Sequence, residues 1–173
     1  MSIEEICERF NIKDYTINDD DSIDVNDHVN LFNLVLTELP LKFNKVSGNF
    51  YCKGNKLTTL KGSPIEVGET FNCSYNELTS LEHSPIKVGG DFRCTDNNLT
   101  DLKGCPKFVR GDFFCSNNNI IELSEIPDNM VGDIYLLSNP IGSISTSMGI
   151  DFIRAFNSYK VLKDGVINLK RLK

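Results

Sequence analysis

Hydrophobic and polar positions along the chain recur at an interval of 21 residues. Phe50, Phe71, Phe92 and Phe113 share one register, and Cys52, Cys73, Cys94 and Cys115 lie two residues after them. Asn55, Asn76, Asn97, Asn118 and Asn139 follow, then Leu57, Leu78, Leu99, Ile120 and Ile141, then Leu60, Leu81, Leu102, Leu123 and Ile144. Pro64, Pro85, Pro106 and Pro127 close the units, while Val46, Val67, Val88 and Val109 precede the Phe positions. Val25, Val29, Leu31, Leu36 and Leu39 extend the register backwards, and Ile134 with Leu136 replace Phe and Cys at the far end. A pattern held over about six units is the signature of a repeat solenoid.

The spacing within one unit has a physical reading. Phe and Cys, two residues apart, point to the same side of a short strand. Asn, three residues on, closes that strand, because its amide can bond the backbone of a turn. The two Leu positions then return to the core from an irregular segment. One such unit cannot bury its apolar face alone, so neighbours must stack, and the Asn column becomes an internal ladder satisfied by the adjacent coil. Parallel strands ~4.8 Å apart make six coils a body roughly 25–30 Å long, plus caps.

Both ends of a solenoid need covering. Residues 1–16 are expected to form a helical N-terminal cap, with Ser2 and Glu5 as a capping box and Ile3, Ile6, Cys7 and Phe10 on one face. Asp19-Asp20-Asp21 suits a turn between short strands at Tyr15–Ile17 and Ile23–Val25. The solenoid is assigned to 17–145 and a C-terminal cap to 146–173. That cap combines a helix over Met148 to Phe156, with Ile150, Ile153 and Phe156 inward, and a hairpin around Lys163-Asp164-Gly165-Val166.

The unit resembles the leucine-rich repeat, L-x-x-L-x-L-x-x-N-x-L, with Phe, Cys, Asn and Leu at its second, third, Asn and following positions. It looks most like the short bacterial type in which Pro closes each unit, seen in secreted effectors of enteric pathogens. Val88 to Pro106, VGGDFRCTDNNLTDLKGCP, is closer still to leucine-rich-repeat proteins encoded by bacteriophages. The entry Tyr15-Thr16-Ile17-Asn18 to Val25 and the tail from Phe156 to Leu172 also look like that phage family. The resemblance departs where Gly68, Gly89 and Arg110 occupy the usual first Leu, a space the adjoining Val67, Val88 and Val109 would fill. It implies a β-rich, right-handed coil of about six units, with parallel strands on the concave face and short helical caps. It also implies a phage product acting on a host protein, in a defence or regulatory complex.

Composition narrows the partners. With 24 Asp+Glu against 18 Lys+Arg, the net charge of −6 disfavours general nucleic-acid binding, which normally needs a basic face. Charge alternates along the chain: residues 1–30 and 62–147 each carry a net −7, residues 31–61 and 148–173 each +4. No apolar run is long enough to span a membrane. The start MSIEEICERF has acids where a secretory signal has bases and an apolar stretch. Together with six Cys, this points to reduced thiols in the cytoplasm, host cytoplasm for a phage product.

The candidate chemistries fail on geometry. Zinc needs four thiolates about 2.3 Å from one point, whereas the Cys column spreads over roughly 14 Å. The Asp19, Asp20, Asp21, Asp24, Asp27 cluster lacks the Gly and Glu of a calcium loop and reads as a solvated turn. His28 and His83 lie in different units, away from any nucleophile pattern, and read as loop or edge residues. No phosphate loop, dinucleotide fingerprint or metalloprotease motif is present. The expectation is a non-catalytic protein without cofactor or metal.

Function then falls to the outward side of the strands. If Phe and Cys point inward, Asn30, Tyr51, Asn72, Arg93, Phe114 and Tyr135 form one outward column, and Lys53, Ser74, Thr95, Ser116 and Leu137 the next. Asn49, Thr70, Asp91, Asp112 and Asp133 precede the Phe positions. The repeat demands nothing at these sites, yet they hold aromatics and Arg, which are enriched at interface hot spots. Tyr51, Arg93, Phe114, Tyr135, Leu137, Asp91, Asp112 and Asp133 are the candidate partner-binding residues, with a protein as partner. The competing reading is a nucleic-acid mimic or binder.

Overall fold

The computed structural model describes residues 1–121 and 125–140, together with strands at 160–162 and 166–168. The chain opens with α1 (Ile3–Arg9), started by a complete Ser2/Glu5 capping box. Cys7 is buried, and Ile3, Ile6 and Phe10 pack against the core, so the helix closes the first coil. β1 (Tyr15–Ile17) and β2 (Ile23–Val25) pair antiparallel. Asp20 tightens their turn by accepting from Ser22 N–H and Oγ; Lys42, which also donates to it, and then Ser22 hold its carboxyl well below the usual range.

The strands then alternate between two sheets. β3 (Val29–Asn30) completes the first coil, followed by β4 (Phe43–Val46) and β5 (Phe50–Tyr51), then β6 (Glu66–Val67) and β7 (Phe71–Asn72). β8 (Lys87–Val88) and β9 (Phe92–Arg93), β10 (Phe108–Val109) and β11 (Phe113–Phe114), and β12 (Asn129–Met130) and β13 (Ile134–Tyr135) continue the series. β14 (Lys160–Leu162) and β15 (Val166–Asn168) form an antiparallel pair, and β15 pairs antiparallel with β13. One sheet runs β1-β2-β4-β6-β8-β10-β12 and the other β14-β15-β13-β11-β9-β7-β5-β3, with parallel pairing throughout the coils.

The protein is therefore a β-solenoid of about five turns, from β2–β3 to β12–β13, with the 21-residue register intact: Phe50 faces Phe71, Phe71 faces Phe92, and Phe92 faces Phe113. The single sheet expected from the Phe–Cys spacing is only half of it. Each coil also forms a short strand at the Val column, so Val46, Val67, Val88 and Val109 pair across coils as well as filling space. Leu123, Ile141 and Ile144, the expected helix from Met148 to Phe156 and the turn at 163–165 lie outside the described residues.

Packing repeats with the sequence. Phe50, Phe71, Phe92 and Phe113 form a fully buried ring ladder with centroids 5.4, 5.4 and 4.9 Å apart, and Phe43 caps it edge-on at 5.0 Å. Cys52, Cys73, Cys94 and Cys115, with the described members of both Leu columns, fill the rest of the interior. The Asn ladder is built as its chemistry requires. Asn97 Nδ2 donates to Cys94 O in its own coil and Cys73 O in the preceding one, both at 3.1 Å, while Oδ1 accepts Leu78 N–H at 3.0 Å. Asn76, Asn118 and Asn139 repeat that pattern, and Asn55 accepts from two amides, Leu34 and Leu36. Each amide thus satisfies backbone groups that would otherwise be buried unpaired.

Turn positions are repeated too. Gly62 and Gly104 adopt φ of 95° and 81° after the second Leu, and His83 holds the same place at 68°. A side chain is disfavoured in this region by roughly 1–2 kcal/mol. His83→Gly is expected to raise stability by about 1 kcal/mol, read as a higher denaturation midpoint at unchanged slope.

Candidate functional site

The outward side of the Phe-bearing sheet carries the candidate residues because the strands are so short. Within each pair of strand residues the first faces the core and the second faces out: Phe113 is fully buried, whereas Phe114 is half-buried on the outside. Register places Tyr51 beside Asn72, Asn72 beside Arg93, Arg93 beside Phe114 and Phe114 beside Tyr135. The column therefore divides in two. Asn72 separates Tyr51 from the rest, while Arg93, Phe114 and Tyr135 form a continuous stack.

That stack has defined geometry. The Arg93 guanidinium lies 4.6 Å from the Phe114 ring centroid, and Phe114 and Tyr135 stack at 4.6 Å with 11° between their planes. Arg93 also donates to Asp91 Oδ2 at 2.7 Å. Leu137, in the same coil as Tyr135, is 59% exposed and widens the apolar end. Asp112, then burial, Asp133 and Asp91 push the Tyr135 hydroxyl above its ordinary value, the sign of a negative local potential.

Asp91, Asp112 and Asp133 have a structural side that spacing alone did not reveal. Asp91 Oδ1 accepts the N–H of Asp112 at 3.0 Å, and Asp112 Oδ1 accepts that of Asp133 at 2.9 Å. Asn49 does the same for Thr70 N–H at 3.0 Å. The column is a second coil-to-coil ladder that fixes one oxygen of Asp91 and of Asp112; the other oxygen of Asp91 takes Arg93.

Two exposed aromatics were missed. Phe32 and Tyr75 are 52% and 53% exposed, with Lys53 Nζ between them at 5.9 and 4.9 Å from their ring centroids. Phe32 lies in the Lys53 register of the degenerate first unit, a signal the 21-residue count contains. Tyr75 occupies a left-handed turn position that Asn33, Gly54, Asp96, Asn117 and Ser138 hold in other coils; a large ring among small and polar residues marks it. The face thus presents a Phe32–Lys53–Tyr75 cluster in its first coils and an Arg93–Phe114–Tyr135 stack in its last.

His28 is a coil-to-coil contact, its Nδ1 accepting Asn49 N–H at 2.8 Å. Among the described residues no three His, Cys, Asp or Glu side chains converge as a metal site requires, and no helix is long and apolar enough to cross a membrane. No protein-family model, curated protein or solved structure matches the chain. The architecture defines its class, a β-solenoid with short capping elements, and a solenoid scaffold does not by itself specify an activity.

Proposed function

We infer that the chain is a non-catalytic protein-interaction module that presents the outer face of the Phe-bearing sheet to a partner protein. The observation that carries this reading is the Arg93–Phe114–Tyr135 stack, large side chains in consecutive coils that contribute nothing to the core. The inward residues supply the packing by themselves, so the outward rings are free for recognition. A backbone paired on both sides holds them in place, so they lose little conformational entropy on binding. The resemblance to phage leucine-rich-repeat proteins supports a phage product that engages a host protein in the host cytoplasm. A nucleic-acid mimic would want acids along the whole face, and here Lys53 and Arg93 interrupt them.

Site-specific photocrosslinking tests the surface. A benzophenone side chain introduced at Tyr135 or Tyr51 is expected to trap the partner in host lysate. The same group at Ile86, exposed on the return side, is expected to trap none of it. Crosslinking at Ile86 alone would move the interface to the side of the coil that carries Lys61, Glu82 and Lys103.

A further inference from the structure

Resting on that reading, we propose that the partner meets the C-terminal half of this face with an extended, arginine-bearing segment. Charge complementarity and ring geometry carry the choice. Asp91, Asp112 and Asp133 stand in consecutive coils directly before the strands that bear Arg93, Phe114 and Tyr135. Neighbouring strands are ~4.8 Å apart, so the three carboxylates span about 10 Å. The ladder bonds to Asp91 and Asp112 hold these side chains in one orientation, so meeting a cation costs little further ordering.

The chain itself shows what suits this surface. Arg93 lies on the Phe114 ring while donating to Asp91, so a ring and a carboxylate together hold one guanidinium. Arginine fits such a pair better than lysine, because its planar fork stacks on rings and matches a carboxylate. Tyr135, the outer member of the stack, lies in the negative potential of the same three acids. A phosphate backbone would meet those carboxylates at close range. In an extended peptide laid across the strands, alternate side chains recur every ~6.8 Å, which lets two arginines reach Asp112 and Asp133 together.

The test uses the full chain and fluorescence anisotropy with three probes: a short peptide of alternating arginine and serine, its glutamate–serine counterpart, and an oligothymidylate of similar length. The arginine peptide is expected to bind and to weaken several-fold as salt rises from about 50 to about 300 mM. Asp112→Asn/Asp133→Asn is expected to weaken it roughly tenfold without moving the melting temperature. Asn49 shows why: an amide at this column keeps the ladder bond, so only charge is lost. Absence of binding by the arginine peptide, full affinity in the double variant, or tighter binding of either anionic probe would overturn the proposal. If crosslinking at Tyr135 persists while the double variant retains full partner affinity, the charge assignment fails and the interface stands. If Tyr135 traps nothing, the interface itself fails.

Discussion

Phe92→Ala is expected to cost about 3–5 kcal/mol of stability, enough to unfold much of a marginally stable domain at physiological temperature. Phe92 is an inner rung of the buried ladder, 5.4 Å from Phe71 and 4.9 Å from Phe113. Its removal deletes buried ring surface and opens a cavity between two coils. The neighbouring rings cannot collapse into it, because their strands are tied on both sides by the parallel ladder and the Asn bonds. Phe114→Ala, one residue beyond the next rung, is expected to change stability by less than about 1 kcal/mol. Denaturant titrations of the two variants measure the contrast. Equal losses would mean that the inward and outward columns have been misassigned.

Alkaline pH is expected to destabilise the protein steeply. Cys52, Cys73, Cys94 and Cys115 are fully buried. Burial pushes Cys52 up to about 12 from an ordinary 9.0, and raises Cys73, Cys94 and Cys115 strongly. Below about pH 8 all four are protonated in both states and their contribution is fully present. Above it the unfolded chain releases protons that the core retains, so stability falls as pH rises toward the folded values. The slope is roughly 1.4 kcal/mol per pH unit for each thiol, about 5 for the four together. Denaturation midpoints of the reduced protein at pH 8, 9 and 10 would trace the fall. Cys73→Ala/Cys94→Ala, though weaker at pH 8, is expected to show a slope shallower by about 3 kcal/mol per pH unit. A flat profile to pH 10, or rapid alkylation of native Cys73, would show that the column is open to water.

The contrast between what was legible and what was not follows from the jobs the residues do. Phe, Cys, Asn and Leu have different tasks in one coil, so each recurs as its own kind, and the ladder could be read from spacing. The second sheet could not. Most of its strands are two residues long, and the residue before each Val is whatever suits that site, Lys45, Glu66, Lys87 or Phe108, so no alternation develops. The outward column was readable as soon as Phe and Cys were assigned inward. Its division at Asn72 was also present in the order of residues. The ladder role of Asp91 and Asp112 was hidden, because Asn49 and Thr70 fill the same column and obscure its chemistry. Phe32 sits in the degenerate first unit, where the repeat is weakest, and Tyr75 in a turn position whose left-handed backbone the spacing does not announce.

The central claim is that inward and outward columns divide folding from recognition, and it is tested most directly by measuring both properties on the same variants. Once the partner is captured, its affinity should be determined for Phe114→Ala and Tyr135→Ala beside their melting temperatures. The expected result is near-native melting with binding weakened by ~2 kcal/mol or more in each. Full affinity in both variants, or loss of affinity only in step with loss of stability, would contradict the division.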